Sequence, residues 1–391
     1  MKSEWQTVRA ADFMDFNPRL SIKKGTVATK ISMDKLRPFT KAVPSVEQAE
    51  FSGGTKFANG DTIMARITPC LENGKTAFVD CLRENEIAFG STEFIVLRAK
   101  PGVSDPQFVY YLATSPEFRN VAIKSMVGSS GRQRVQQPVL ENLELTVPKL
   151  PEQEKIGHFL AELDDKIALN ERVNDNLYDL VNTLYTKLFK DTDCEMTTVE
   201  DYVDCIYSGG TPATSNMAYW NGNLNWLSSG ETRNRFVIST EKTITQLGAD
   251  NSSTKSAQKY DIVIASAGQG FTRGQTSMLL LNTYINQSVI VLHAKKTVLP
   301  YLFWNLTNRY DDLRAISDSS SIRGSLTTKM LSKLKIPKVE DSLILKFSEY
   351  AWSIIPQIEN NLIENKRLTD LRDSLLPKLM SGEIDVSDIQ L

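Results

Sequence analysis

The sequence predicts an α+β fold with an internal pseudo-two-fold repeat: two irregular mixed α/β domains separated by two long antiparallel coiled-coil helices. Three observations carry this expectation: a chain that repeats itself, short β-type runs in each copy, and an apolar ladder closing each copy. The repeat comes first, because missing it would misread the whole fold. Gly60-Asp61-Thr62-Ile63-Met64-Ala65 matches Tyr260-Asp261-Ile262-Val263-Ile264-Ala265, and Phe94-Ile95-Val96-Leu97 matches Val289-Ile290-Val291-Leu292. Pro106-Gln107-Phe108-Val109-Tyr110-Tyr111-Leu112 matches Pro300-Tyr301-Leu302-Phe303-Trp304-Asn305-Leu306. Gly128-Ser129-Ser130-Gly131-Arg132 matches Ser319-Ser320-Ser321-Ile322-Arg323, and Leu145-Thr146-Val147-Pro148 matches Leu334-Lys335-Ile336-Pro337. The offset drifts from 200 to about 189, as insertions and deletions in surface loops allow. The 391 residues are therefore one unit of roughly 190, used twice.

In each copy the β-type runs come first. Thr62–Ile67 and Phe94–Arg98 in one copy, and Asp261–Ala265 and Ser288–His293 in the other, are apolar and β-branched. Clusters such as Ser208-Gly209-Gly210-Thr211-Pro212 and Asn221-Gly222-Asn223 separate such runs. A helix then follows Pro106 or Pro300, with the apolar face Phe108, Tyr111, Leu112 or Leu302, Phe303, Leu306.

The closing ladders are the clearest signal. From Ile156 one runs Leu160, Leu163, Ile167, Asn170, Asn174, Leu177, Val181, Leu184, Leu188. The other runs Ile354, Ile358, Asn361, Asn365, Leu368, Arg372, Leu375, Leu379, a constant 191 residues later. Steps alternating between four and three are the coiled-coil period. Pro151 opens the first helix with Glu152 and Glu154 in its first turn, where anions suit the helix dipole. Pro356 and Pro377 are expected to kink or fray the second. Buried Asn specifies register at a cost in stability, so the expected pairing sets Asn170 and Asn174 against Asn361 and Asn365 in an antiparallel pair. A helix of ~30 residues spans ~45 Å, against ~34 Å for one turn of DNA, long enough for a ruler between two sites on a duplex. The boundaries read from these signals are 1–150 and 191–338 for the globular domains, and 151–190 and 339–391 for the helical regions.

Composition narrows the function. The chain is 41% hydrophobic and 24% charged, with 45 Lys+Arg against 47 Asp+Glu and a net charge of −2. These values suit a folded soluble protein and exclude a uniformly basic coat for nucleic acid. Cys70, Cys81, Cys194 and Cys205 form no CxxC pair, so free thiols are expected and a zinc site is not. Two histidines, His158 and His293, leave little for His-based catalysis. The opening MKSEWQTVRAADFMDF has no apolar core of signal-peptide type, and no run approaches membrane-spanning length. A cytoplasmic protein without a membrane partner is expected.

No motif supplies a catalytic constellation or a metal site. Gly268-Gln269-Gly270-Phe271-Thr272-Arg273-Gly274 resembles a dinucleotide loop, but its third Gly is one residue late and Thr276–Leu281 reads as strand. Asn73-Gly74-Lys75-Thr76 mimics the end of a phosphate-binding loop, but Pro69 occupies the position of its first Gly. No Gly-x-Ser-x-Gly, HExxH or Asn-Pro-Pro-aromatic tetrapeptide occurs.

Charge by segment says more. Residues 1–148 hold 19 Lys+Arg and 16 Asp+Glu, 149–190 hold 6 and 8, 191–340 hold 15 and 14, and 341–391 hold 5 and 9. Base concentrates in the globular parts and acid in the helices. Arg119, Lys124, Arg132 and Arg134 cluster in one copy, and Arg309, Arg314, Arg323 and Lys329 in the other. Each cluster centres on a Ser-rich loop holding an Arg: Ser129, Ser130 and Arg132, or Ser320, Ser321 and Arg323. Hydroxyls, backbone N–H groups and an Arg suit phosphate oxygens. Arg, Asn and Gln read base edges, which makes Arg66, Asn73 and Lys75, and Gln269, Arg273 and Gln275 in the matching loop, candidates for base contacts. Thr211 is a further candidate for DNA contact.

The whole pattern resembles the specificity subunit of type I restriction–modification systems. The resemblance rests on Pro148-Lys149-Leu150-Pro151-Glu152-Gln153-Glu154-Lys155-Ile156 leading to Leu163-Asp164-Asp165-Lys166-Ile167, on Ser208-Gly209-Gly210-Thr211-Pro212 with Tyr219-Trp220-Asn221-Gly222, and on Leu376-Pro377-Lys378-Leu379-Met380-Ser381-Gly382-Glu383-Ile384. It implies two target-recognition domains, each reading half of a bipartite, asymmetric sequence in double-stranded DNA. It implies helices that dock two methyltransferase subunits, with an ATP-driven restriction subunit joining the assembly. S-adenosylmethionine, ATP and magnesium would sit on those partners, none on this chain. The chain itself would be non-catalytic, conferring specificity on adenine methylation. One departure stands out: the second helical region begins Pro337-Lys338-Val339-Glu340-Asp341-Ser342-Leu343, without the Glu-Gln pair. Rival readings are a nucleotide-using enzyme built on the glycine loops and a coiled-coil scaffold with no role on DNA.

Overall fold

The computed structural model describes residues 5–129, 131–189, 195–268, 270–318 and 324–386. The chain divides into two compact units, Met1–Leu169 with Glu364–Leu391, and Asn170–Ile363. Both mix sheets with helices, the α+β class expected.

In the first unit a four-stranded antiparallel sheet runs in the order Met14–Phe16, Phe94–Ala99, Thr62–Ala65, Thr76–Phe78. The two middle strands alternate their side chains between two cores, as the period of two requires. Met64, Ile95 and Leu97 pack with Phe108, Tyr111 and Phe118 of the helices Pro106–Thr114 and Pro116–Lys124. Ile63 and Val96 pack with Ile31, Phe57 and Ala88 of a second sheet, ordered Glu47–Glu50, Val27–Ile31, Ile87–Gly90, Thr55–Ala58. Burial on both faces explains why Thr62–Ala65 reads as a continuous apolar run. Helix Pro106–Thr114 starts cleanly: Pro106 fills its first turn and the N–H of Phe108 donates to Asp105 Oδ1 at 2.8 Å.

The second unit repeats this plan. Its central sheet runs Cys205–Ser208, Val289–His293, Ile262–Ala265, Thr276–Leu279, Phe236–Val237. Ile262, Ile264 and Leu292 face Leu302, Phe303 and Leu306 of helix Leu299–Thr307, while Val263 and Val291 face Leu227 and Ile285 of the other sheet. The repeat extends to single hydrogen bonds. The N–H of Gly60 donates to Val79 O at 2.8 Å, and that of Tyr260 to Leu279 O at 2.6 Å. Asp61 Oδ2 accepts from the N–H of Ala58 at 2.7 Å, and Asp261 Oδ2 from that of Gln258 at 2.7 Å. The turn needs left-handed backbone, which Gly60 adopts freely at φ +89°, whereas the second copy puts Tyr260 there at φ +78°. Both aspartates are buried beside a nitrogen-bearing side chain: Arg98 forks onto Asp61 at 2.6 and 2.7 Å, and His293 Nδ1 lies 2.5 Å from Asp261 Oδ1. The hydrogen bonds that it donates to Asp61 raise the Arg98 guanidinium above its ordinary pKa.

Each long helix has 40 residues, Leu150–Phe189 and Asp341–Met380, about 60 Å at 1.5 Å per residue. The break expected at Pro356 and Pro377 does not occur. Helix Asp341–Met380 runs on through both, with Pro356 exposed and Pro377 half-buried. Within each unit the two helix segments run antiparallel. In the second unit Asn361 Nδ2 donates to Asn174 Oδ1 at 2.8 Å and Asn174 Nδ2 to Ile358 O at 3.3 Å. In the first, Asn365 Nδ2 donates to Ile167 O at 3.2 Å. Adding 191 to Asn174 and Asn365's partner Ile167 gives Asn365 and Ile358, so the same side-chain bond is made twice with the helices exchanging roles. Asn170 is buried as well.

The buried face is wider than a coiled-coil seam. Tyr178, Tyr185 and Phe189 lie one position off the ladder and pack on the globular part of the second unit, Tyr178 stacking on Trp304 with centroids 5.7 Å apart. The first unit is latched at Gln153. Its Oε1 accepts from the N–H of Asp105 at 3.0 Å, and its Nε2 donates to Val103 O at 3.1 Å and Pro148 O at 2.9 Å. The Gln of the Glu-Gln pair missing from the second helix is thus an internal fastening of the first unit.

Candidate nucleic-acid interface

In each unit the loop leaving the third strand of the central sheet meets the loop that precedes the last short helix. In the first unit, Val135 N–H donates to Arg66 O at 2.8 Å and Thr68 N–H to Gln133 O at 3.0 Å, joining segment 66–75 to segment 127–135. Bridges of Arg134 to Ile67 and Val127 complete the junction. In the second unit Leu326 N–H donates to Ser266 O at 2.9 Å, the equivalent bond. The loops that sequence singled out separately are neighbours in space, twice.

Their side chains divide into committed and outward-facing groups. Asn73, Ser129 and Arg132 are exposed, and the N–H of Arg132 closes a turn on Ser129 O at 3.0 Å. Arg134 is also exposed but forks onto Glu93, with Nη2 to Oε1 at 2.6 Å, and that bond holds the Glu93 carboxyl below its ordinary pKa. Arg66 Nη2 donates to Val135 O at 3.3 Å, and half-buried Lys75 gives its Nζ to Met33 O at 2.9 Å. Arg273 is mostly buried and bonded to Asp318 and to Gly324 O, so its guanidinium fastens two loops rather than reaching outward. Gln275 is half-buried, and Thr211 donates to Gln287 Oε1. Ser130, Gln269, Ser320, Ser321 and Arg323 lie outside the described residues, as does Cys194.

Each loop is pinned by an Arg from the helix that follows. Arg119 Nη2 donates to Leu71 O at 3.2 Å and Glu72 O at 2.6 Å, and Arg314 Nη1 donates to Gly270 O. Sequence reasoning read both as free positive charge. Their carbonyl partners lie over forty residues away, and no local signal reveals them. Sequence reasoning also passed over Phe271, whose setting between Gly270 and Gly274 marks an outward aromatic: it is 82% exposed.

Strands Thr76–Phe78 and Thr276–Leu279 follow where a phosphate-binding helix would have to begin. Among the described residues no group of three or more His, Cys, Asp or Glu stands ready for a metal, and no helix is long and apolar enough to cross a membrane. Cys70, Cys81 and Cys205 are free thiols.

A family profile described as "Type I restriction modification DNA specificity domain" matches residues 2–178 and again residues 192–368. The chain belongs to this family. The two matched segments coincide with the two copies read from the sequence. The chain is 24% identical to the Type I restriction enzyme HindI specificity subunit of Haemophilus influenzae, over 83% of this chain and 86% of that one. A shorter stretch is 39% identical to the EcoAI specificity subunit of Escherichia coli, over 27% of this chain and 18% of that one. Among solved structures, the S subunit of a type I restriction–modification system from M. genitalium superposes with a TM-score of 0.58, at 18% identity and 96% coverage of both chains, which shows a shared fold. Membership assigns the chain to DNA recognition rather than to catalysis.

Proposed function

We propose that each unit reads one half of a bipartite, asymmetric sequence in double-stranded DNA, while the long helices serve as spacer and as docking surface for two methyltransferase subunits. The observation that carries this reading is the recurrence of the loop junction: Arg66 O with Val135 N–H, and Ser266 O with Leu326 N–H. A scaffold would need no such junction in each copy. The exposed Asn73, Ser129 and Arg132 have the donors that phosphates and base edges accept from. The near-neutral charge agrees with modest DNA binding by the isolated chain, partner subunits supplying the rest. S-adenosylmethionine, ATP and magnesium then belong to methyltransferase and restriction partners, and the assembly works in the cytoplasm.

Methylome sequencing of a strain with and without the gene tests this. Deletion is expected to erase methylation at one bipartite motif, and replacing residues 1–148 by the corresponding part of a relative should change only one half of it. If no bipartite motif disappears, the reading fails.

A further inference from the structure

We infer that Phe271 is an apolar wedge that enters the base stack of the half-site read by the Asn170–Ile363 unit, an inference resting on the DNA reading above. The ring is 82% exposed, while Leu71 at the matching position of the first copy is fully buried in its core. Exposure of so much apolar surface is unfavourable in water, and the backbone around Phe271 is built to maintain it. Its carbonyl accepts from Tyr310 Oη at 2.9 Å, and the neighbouring Gly270 carbonyl accepts from Arg314. Gly274 N–H donates to Ala265 O at 2.9 Å, closing the loop at its base. Gly268, Gly270 and Gly274 take φ of +145°, +62° and +87°, a path that residues with a Cβ resist. The ring is therefore presented on a fastened loop, at little entropic cost on binding. It shares that loop with half-buried Gln275, beside the junction at Ser266 on which the DNA reading rests, so the surface it meets is the one proposed for DNA. A ring flanked in the chain by Gly270, Thr272 and Arg273 suits one base step, whereas a protein partner would call for a contiguous apolar patch.

The test uses the full chain assembled with its methyltransferase subunits, on duplexes carrying 2-aminopurine at successive positions of each half-site. Apart from the adenines that the methyltransferase itself takes out of the stack, wild type is expected to raise the fluorescence at one step of one half-site, and Phe271→Ala to abolish that rise. Phe271→Ala should weaken duplex binding about 10- to 100-fold, the range for losing one aromatic–base stack. Phe271→Trp should keep both signals, and Phe271→Leu should keep neither in full. Unchanged affinity and fluorescence in Phe271→Ala overturns the wedge, as does impaired assembly with the methyltransferase at unchanged DNA affinity, which would mark a protein contact. Loss of sequence-selective binding already in wild type would instead strike the DNA reading itself.

Discussion

The seam between globular part and helices is built in opposite ways in the two units. In the first, Tyr111 Oη donates to Asp164 Oδ2 at 2.6 Å and Arg372 Nη1 donates to the other oxygen of Asp164, all three side chains being buried. Burial alone would lower the Arg372 pKa, yet the charge of Asp164 raises it; burial and the same carboxylate push the Tyr111 phenol far up. The 191-residue offset puts Ile355 where Asp164 stands and Val181 where Arg372 stands. Both are fully buried, and at Asn305, which matches Tyr111, the bond to the long helix is neutral: Asn305 Nδ2 donates to Tyr185 Oη at 2.8 Å. One backbone site thus accepts either an ion pair or two aliphatic side chains. The ion pair fixes geometry through directional bonds, whereas the aliphatic pair draws only on burial.

The comparison is most sharply broken by removing one charge. Arg372→Met leaves Asp164 buried and unpaired, at a cost of about 3–5 kcal/mol. Hydrogen exchange should open peptides 106–114 and 150–169 while those between 200 and 360 hold their protection. A loss under ~1 kcal/mol would mean that the pair is screened like a surface bridge. Replacing the pair by the other unit's two aliphatic residues, Asp164→Ile with Arg372→Val, and removing the hydroxyl that loses its acceptor by Tyr111→Phe, should return stability to within about 1 kcal/mol of wild type or exceed it by ~1–4 kcal/mol. A triple variant as unstable as Arg372→Met would show that the two seams are not interchangeable.

A smaller contrast lies about two helical turns away. A Cβ on Gly157 would meet Asp105 Oδ1 at 2.6 Å and the Phe108 nitrogen at 2.9 Å, so the capped helix and the long helix touch only because this residue is glycine. Gly157→Ala is expected to cost about 1–3 kcal/mol. At the matching position the second unit carries Ser348, whose buried hydroxyl has no partner among the described residues, and Ser348→Ala should be neutral or mildly stabilising. Urea melts of both variants check the pair.

The smallest effect expected concerns pH. Arg134 depresses the Glu93 pKa, so the stabilisation it brings is fully present above the unfolded carboxylate value of about 4.3 and fades as pH falls through the lowered native value. An NMR titration should show Glu93 protonating below an ordinary glutamate, and Arg134→Gln should restore the ordinary value. An unshifted Glu93 in wild type would remove this contact from the account.

The repeat, the central strands, the helices after Pro106 and Pro300, and the Asn rungs were all legible in the sequence, because each is local or periodic. The off-ladder stripe of Tyr178, Tyr185 and Phe189 was not: a search for the coiled-coil period selects one seam, and these residues serve a second surface of the same helix. At the candidate interface the loops were legible but several side-chain roles were not. Arg134 and Arg273 look like free cations until Glu93 and Asp318, 41 and 45 residues away, arrive beside them. Gln153 showed the same blindness in reverse, a motif residue whose partners sit in the preceding loop.

The composition of the first unit from both ends of the chain sets an order of events during synthesis. Leu379, Met380 and Val386 belong to the same buried core as Phe13, Phe108 and Ile156. At ~5–20 residues per second, they leave the ribosome on the order of ten to forty seconds after the first long helix has passed Leu169. Throughout that interval Asp164 has no Arg372 to neutralise it, and the nascent core stays open on one side. The second unit is contiguous and can close as soon as Ile363 has emerged. The half made first is therefore the half finished last.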